Sequence, residues 1–359
     1  MRLKEKVMKI IRIVTACFLA FSVSAAYGED YLLHTLMTHT DNARTVDFSN
    51  DERYVYSAGY DYRVVKWKLD NSENLVYLKG HTDIINCVRV NLKGDMLASA
   101  ANDNTIKIWS ARANTLIKNL KGHDHYVNSV DFSKDGKTLL SAGSDKTVMI
   151  WNLAPSYGIQ KIFRGHTDIV RDAVFSPNGN YIASCGEDRT VRIWSVKTKN
   201  LLQTAKDHND KVNCVAFSPN GKYLASCSDN NDVIIWNFDN GKITMKNHIT
   251  GHRDKVNTVS FSRDSLMLAS GSDDKDIKIW NVETGMQIVS LIGHSDRVND
   301  LAFSKTGKYI VSASDDKTIK VWGPFEFNES LGMLKTQFDE AENGRGVVEE
   351  ADPVMEMRQ

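Results

Sequence analysis

Neither sign of charge is in excess in this chain: its 359 residues carry 45 Lys and Arg against 45 Asp and Glu. A nucleic-acid-binding domain needs a clearly basic face, and this balance excludes that class. Long apolar runs are also missing. The best of them, residues 13–26, is too short to cross a hydrocarbon core of about 30 Å as a stable span. Cysteine is scarce, and no spacing among Cys87, Cys185, Cys214 and Cys227 suits a zinc site. Cys214 and Cys227 flank Asn220-Gly221 symmetrically, which places them opposite each other across a hairpin. That pair is open to a disulfide; the plainer expectation is four buried thiols acting as small hydrophobes. There is no phosphate-cradling glycine loop and no His/Glu metal motif.

Residues 1–26 read as a secretory signal peptide. Arg2, Lys4, Lys6, Lys9 and Arg12 stand against Glu5 alone, an apolar run follows, and Val23-Ser24-Ala25 or Ser24-Ala25-Ala26 suits a signal peptidase. The expectation is an exported chain, periplasmic or secreted, in an oxidising compartment. The alternative is an uncleaved extension on a cytoplasmic protein. A lipidation box at Val14-Thr15-Ala16-Cys17 is disfavoured because Arg12 interrupts the apolar run before it.

What is present is repetition. A His and a Trp stand 28 residues apart seven times: His39/Trp67, His81/Trp109, His123/Trp151, His166/Trp194, His208/Trp236, His252/Trp280 and His294/Trp322. Successive histidines lie 42 to 44 residues apart. A serine stands ten residues before every Trp, as at Ser184 and Ser312. Six before it comes an aspartate, as at Asp188 and Asp316, except for Asn230 in the fifth unit. A period of about 40–45 residues with a fixed Trp means small sheets in a radial array. Within a unit the apolar residues alternate as in pleated sheet, and Asn178-Gly179 and Asn220-Gly221 supply hairpin turns.

The Gly-His pairs (Gly80-His81, Gly122-His123, Gly165-His166, Gly251-His252 and Gly293-His294), the turn aspartates and the terminal tryptophans together resemble the WD-repeat (WD40) family over residues 31–322. The Trp-Asp ending is altered throughout, and Thr38 and Asp207 replace the glycine before two of the histidines. The resemblance implies an all-β fold: a seven-bladed β-propeller of four-stranded antiparallel blades over residues 27–322. It further implies ring closure, with residues 31–36 pairing with the strand that ends at Trp322. Ser, His and Asp in every unit invite a hydrolase reading, but seven copies in one register point to a structural need. In the family Asp188 accepts from His166, His166 from Ser184, and Ser184 meets the Trp194 indole; His294, Ser312, Asp316 and Trp322 form the last such set. Asn230 predicts a fifth blade short of one charge-assisted bond and therefore the most easily opened. A metal-dependent propeller enzyme needs several Asp, Glu or His facing the central channel, and the positions read as inward do not supply them. No cofactor is expected.

The family's wide rim, which carries the His loops and turn aspartates, is a partner-binding face. On it this chain offers Tyr60, Ile84, Tyr126 and Ile169 over the first four units. The last three offer Lys211, Lys255 and Arg297, interleaved with Asp229, Asp273 and Asp315. Arg44 and Arg171, with five asparagines, ring the channel mouth. The expected function is a non-catalytic scaffold that binds a protein or peptide, rings for anchoring and charges for register. The alternative is a channel-using enzyme or ligand-binding propeller. Residues 323–359 carry nine acidic residues against three basic ones. A short helix is expected over 330–341, with Leu331, Leu334 and Phe338 on one face, and a disordered acidic end from Glu342.

Overall fold

The computed structural model describes residues 31–70, 73–325, 327–328 and 333–334. Seven antiparallel sheets of four strands each follow one another along the chain. The first consists of Ala43–Phe48, Tyr54–Gly59, Arg63–Lys68 and Glu73–Lys79. No α-helix occurs among the described residues, and so none there is long and apolar enough to cross a membrane. The first strands of successive sheets touch one another around the molecule, and Ala43–Phe48 touches both Ile85–Val90 and Val298–Phe303, which closes the ring.

Closure uses the beginning of the chain. Leu32–Met37 pairs antiparallel with Thr318–Trp322, Leu36 opposite Ile319 and Leu32 opposite Trp322. It supplies the outer strand of the seventh blade, as the sequence predicts, and leaves the seam without an open edge. Leu36 is 1% exposed and packs with Val46, Phe48, Val65 and Val311, residues of the first and last blades.

The core lies between blades. Second strands such as Tyr223–Ser228 are buried on both faces, because each blade is covered by a neighbour on either side. Ile193 and Val191 of the fourth blade meet Leu224, Ile234 and Trp236 of the fifth. Each such side chain, fully buried, contributes about 1.5–3 kcal/mol. The glycine before the histidine also has a packing reason. A Cβ on Gly251 or Gly122 would come within 2.9 Å of the blade's own Trp ring, at Trp280 and Trp151.

Cys214 stands opposite Cys227 across the first hairpin of blade five, and all four described cysteines are free thiols. Burial pushes the Cys87 thiol up to about 12, which leaves it unreactive. Phe325–Gln359 forms a unit of its own. There Met333–Leu334 is a short strand paired with Phe327–Asn328, so the helix expected over 330–341 does not form at those two residues. An isolated helix of this length is marginal in water. The signal segment 1–26 and the acidic end from Glu342 lie outside the described residues.

Candidate functional site

Each blade holds one buried polar relay. In blade four His166 Nδ1 is 2.9 Å from Asp188 Oδ2, His166 Nε2 is 2.7 Å from Ser184 Oγ, and Trp194 Nε1 donates to Ser184 Oγ at 2.8 Å. In blade seven His294 lies 2.8 Å from Asp316 and 2.7 Å from Ser312, and Trp322 donates to Ser312 at 2.9 Å. One proton arrangement satisfies all three bonds: indole N–H to serine, serine O–H to Nε2, and Nδ1–H to carboxylate. Burial alone would raise the Asp188 carboxyl. The bond from His166, the attraction of that ring and the bond from Thr190 outweigh it and hold the group well below the usual carboxylate range. Every relay serine is 0% exposed and bonded on both sides. A substrate carbonyl has no approach to it.

Blade five departs from the expectation. His208 Nδ1 bonds Asp232 Oδ1 at 2.9 Å, two residues beyond Asn230. Asp232 also accepts from Ser228 at 2.6 Å and lies 2.9 Å from His248 Nε2. The carboxylate is thus kept, entering from the start of the third strand, and the expected weak blade is corrected. Asn230 is exposed and only flanks the relay, 3.5 Å from Asp232.

The rim is built by one backbone bond repeated in every blade. The residue before the turn aspartate donates its N–H to the carbonyl three residues after the histidine: Tyr60 to Asn42, Ser144 to Tyr126, Glu187 to Ile169. This brings the predicted rim residues together at one end. Tyr126 is 42% exposed with its ring against His125; Tyr60, Ile84 and Ile169 are half-buried. The cations beyond them are paired. Lys211 lies 2.6 Å from Glu187, Lys255 3.2 Å from Asp229, and Arg297 2.8 Å from Asp315.

The asparagines at the channel mouth clamp blade to blade. Asn86 donates to Asn102 of its own blade and to the Val127 carbonyl of the next. Asn128, Asn213, Asn257 and Asn299 repeat this, Asn299 reaching the Ala43 carbonyl across the seam. Arg44 and Arg171 occupy the same position in blades one and four.

Below the mouth the channel is polar in a way that strict alternation conceals. Every first strand carries a bulge at the fifth residue after the histidine, as between Ile85 and Cys87. A bulge turns two consecutive side chains to one side. The fifth and sixth residues therefore both line a cavity of about 240 Å³, Asn86 with Cys87 and Arg171 with Asp172. The expectation that the channel lacks acidic residues is corrected by Asp172 and Asp300, which line it with Asp229 and Asp273 of the rim, and by Asp47 and Asp131 two residues deeper in register. These carboxylates take up the free N–H groups of the neighbouring inner strand. Val90 donates to Asp47 at 2.8 Å, Phe175 to Asp131 at 2.8 Å, Val215 to Asp172 at 3.1 Å, and Val46 to Asp300 at 3.2 Å. Arg89 pairs with Asp300 at 3.1 Å. Among the described residues no three of His, Cys, Asp and Glu converge as around a metal ion.

The comparisons with known families agree with this geometry. The family model described as WD domain, G-beta repeat, matches residues 30–68, 72–110 and 114–152. The model described as Echinoderm microtubule-associated protein second beta-propeller matches residues 172–330. The chain belongs to the WD-repeat family. No curated protein matches the sequence. WD-repeat propellers are in general non-catalytic scaffolds that bind proteins.

In this WD-repeat protein the relays were legible in the sequence, and the inward carboxylates were not. The signal for them is the sixth and eighth residues after each histidine, counted across the bulge. Burial raises Asp131 to about 7, against the bond from Phe175 and the charge of Arg89. A carboxyl whose folded pKa lies above its unfolded one stabilises fully below the unfolded pKa and loses that contribution as pH rises through the folded one. Asp131→Asn is therefore expected to gain on the wild type as pH rises from 6 to 8.5. The gap in Tm should move by about 2 °C or more in favour of the variant. A constant gap in a scanning-calorimetry series would show that Asp131 does not titrate there.

Proposed function

We propose that this chain is a non-catalytic, exported interaction scaffold that holds a protein or peptide partner on its wide rim. The observation that carries this reading is the rim itself. An exposed Tyr126 and half-buried Tyr60, Ile84 and Ile169 stand beside a paired arc at Lys211, Lys255 and Arg297 on a ring clamped by asparagines at five of its blades. Aromatic anchors on a stiff surface bind with little loss of conformational freedom. Non-catalysis is supported by the repetition of one buried Ser–His–Asp set in all seven blades, since a catalytic centre needs only one. Export rests on the pattern of residues 1–26.

Affinity capture from the native compartment, with N-terminal sequencing of the mature chain, tests both halves. Tyr126→Ala and Arg297→Glu are each expected to reduce capture of the partner at least tenfold, and the first mature residue is expected to be Ala26 or Tyr27. Unchanged capture by both variants would remove the rim reading. A mature chain still beginning at Met1 would remove export.

A further inference from the structure

Five blades place an asparagine at the bulge, where it both donates within its blade and clamps the next. Blades one and four give up that clamp for an arginine. Arg44 still reaches the next blade through its Nε, to Asn86, whereas Arg171 turns to Glu187 of its own blade. The two arginines differ in what they have gained. Arg171 has a carboxylate, with Nη2 2.5 Å from Glu187, although its Nε is buried without a partner. Arg44 has none. Its Nε donates to Asn86 Oδ1 at 3.2 Å, and among the described residues no carboxylate lies within 4 Å of it. The other cations lining the cavity, Arg89, Lys255 and Arg297, each have an acidic partner.

We propose that the channel mouth at Arg44 takes one aspartate or glutamate side chain of the partner peptide, on the reading above that the wide rim holds such a peptide. The two Nη groups of Arg44 present the planar fork that matches a carboxylate with two parallel hydrogen bonds. Charge decides between a carboxylate and a phosphate. One unpaired cation calls for one negative charge, and Asp172 and Asp300 line the channel just below. A phosphate dianion would set surplus negative charge over them. Size agrees: a cavity of about 240 Å³ admits a side chain and not a folded segment. Burial pushes the Arg44 guanidinium pKa down and the charge of Arg171 adds to this, while Tyr60, Asp315 and Asp300 act the other way without cancelling it.

The structure also supplies a variant that should fold. Arg44→Asn restores the residue that five blades already use, so its Tm is expected at or above that of the wild type. The probe is a phage-displayed random dodecapeptide library panned against residues 27–359. Wild-type protein is expected to enrich peptides with one fixed acidic position, and Arg44→Asn to weaken those peptides at least tenfold. Arg44→Lys should recover part of the loss. Replacing the acidic residue of the best peptide by its amide should cost the wild type tenfold and the Arg44→Asn protein almost nothing. Enriched peptides with no acidic position, still displaced by Tyr126→Ala, would overturn the carboxylate assignment and leave the rim reading standing. A peptide that binds tenfold tighter with phosphoserine at that position would overturn it in favour of phosphate. Failure to enrich any peptide would remove both.

Discussion

A chain that begins at Thr38 is expected to melt at least 10 °C below one that begins at Tyr31, and to self-associate. The missing segment is the outer strand of blade seven. Without it Thr318–Trp322 presents an unpaired edge, the template on which a second copy can add a strand. The loss also opens the seam between the first and last blades, where Leu36 is buried. Leu36→Ala alone should cost about 2–5 kcal/mol, or roughly 3–8 °C in a domain of this size. Leu33, 44% exposed on the same strand, is the control, and Leu33→Ala should be near neutral. Calorimetry and size-exclusion chromatography read both effects. A truncated chain that melts within 2 °C of the longer one, as a monomer, would show that the ring does not depend on its latch.

The second large effect lies in blade five. Asp232→Ala should destabilise by about 3 kcal/mol or more. It strands the His208 Nδ1–H and the Ser228 hydroxyl, both buried, and each orphaned group costs about 1–3 kcal/mol. Asn230→Ala, at the position that carries the relay aspartate in the other six blades, should change stability by no more than about 0.5 kcal/mol. Urea denaturation of the two variants separates the alternatives. The reverse ranking would return the relay to Asn230. With Asp232 in place, amide exchange in blades three and five should be alike. Acid should weaken all the relays together. Asp188 and Asp316 have folded pKa values held below the unfolded one, so their contribution is complete above about pH 4 and is lost as pH falls toward the folded value. Burial holds His166 and His294 below their usual pKa, and the cost of keeping them neutral begins below about pH 6.5.

Trp194, Ser184, His166 and Asp188 could be assigned to one relay from spacing and family resemblance, because seven copies in register leave little freedom. Asp232 could not. Once Asn230 broke the register, nothing along the chain indicated which nearby carboxylate would turn toward His208. The same limit hid the channel. Alternation with a period of two assigns Asp172 and Asp300 to the wrong side, and one extra residue in the ladder reverses them.

By itself the sequence determined seven equal units, their strands and turns, and the closure by residues 31–36. The units, strands and turns follow from periodicity, which acts locally and repeats, and the closure is what the family resemblance implies for the strand left over at the beginning. Only the tertiary structure decided which rim charges are already paired, that the asparagines act as clamps, and that Arg44 has no carboxylate within 4 Å among the described residues. Those properties arise from side chains distant in sequence, such as Arg44 and Asn86 of neighbouring blades, that meet only when the chain has folded.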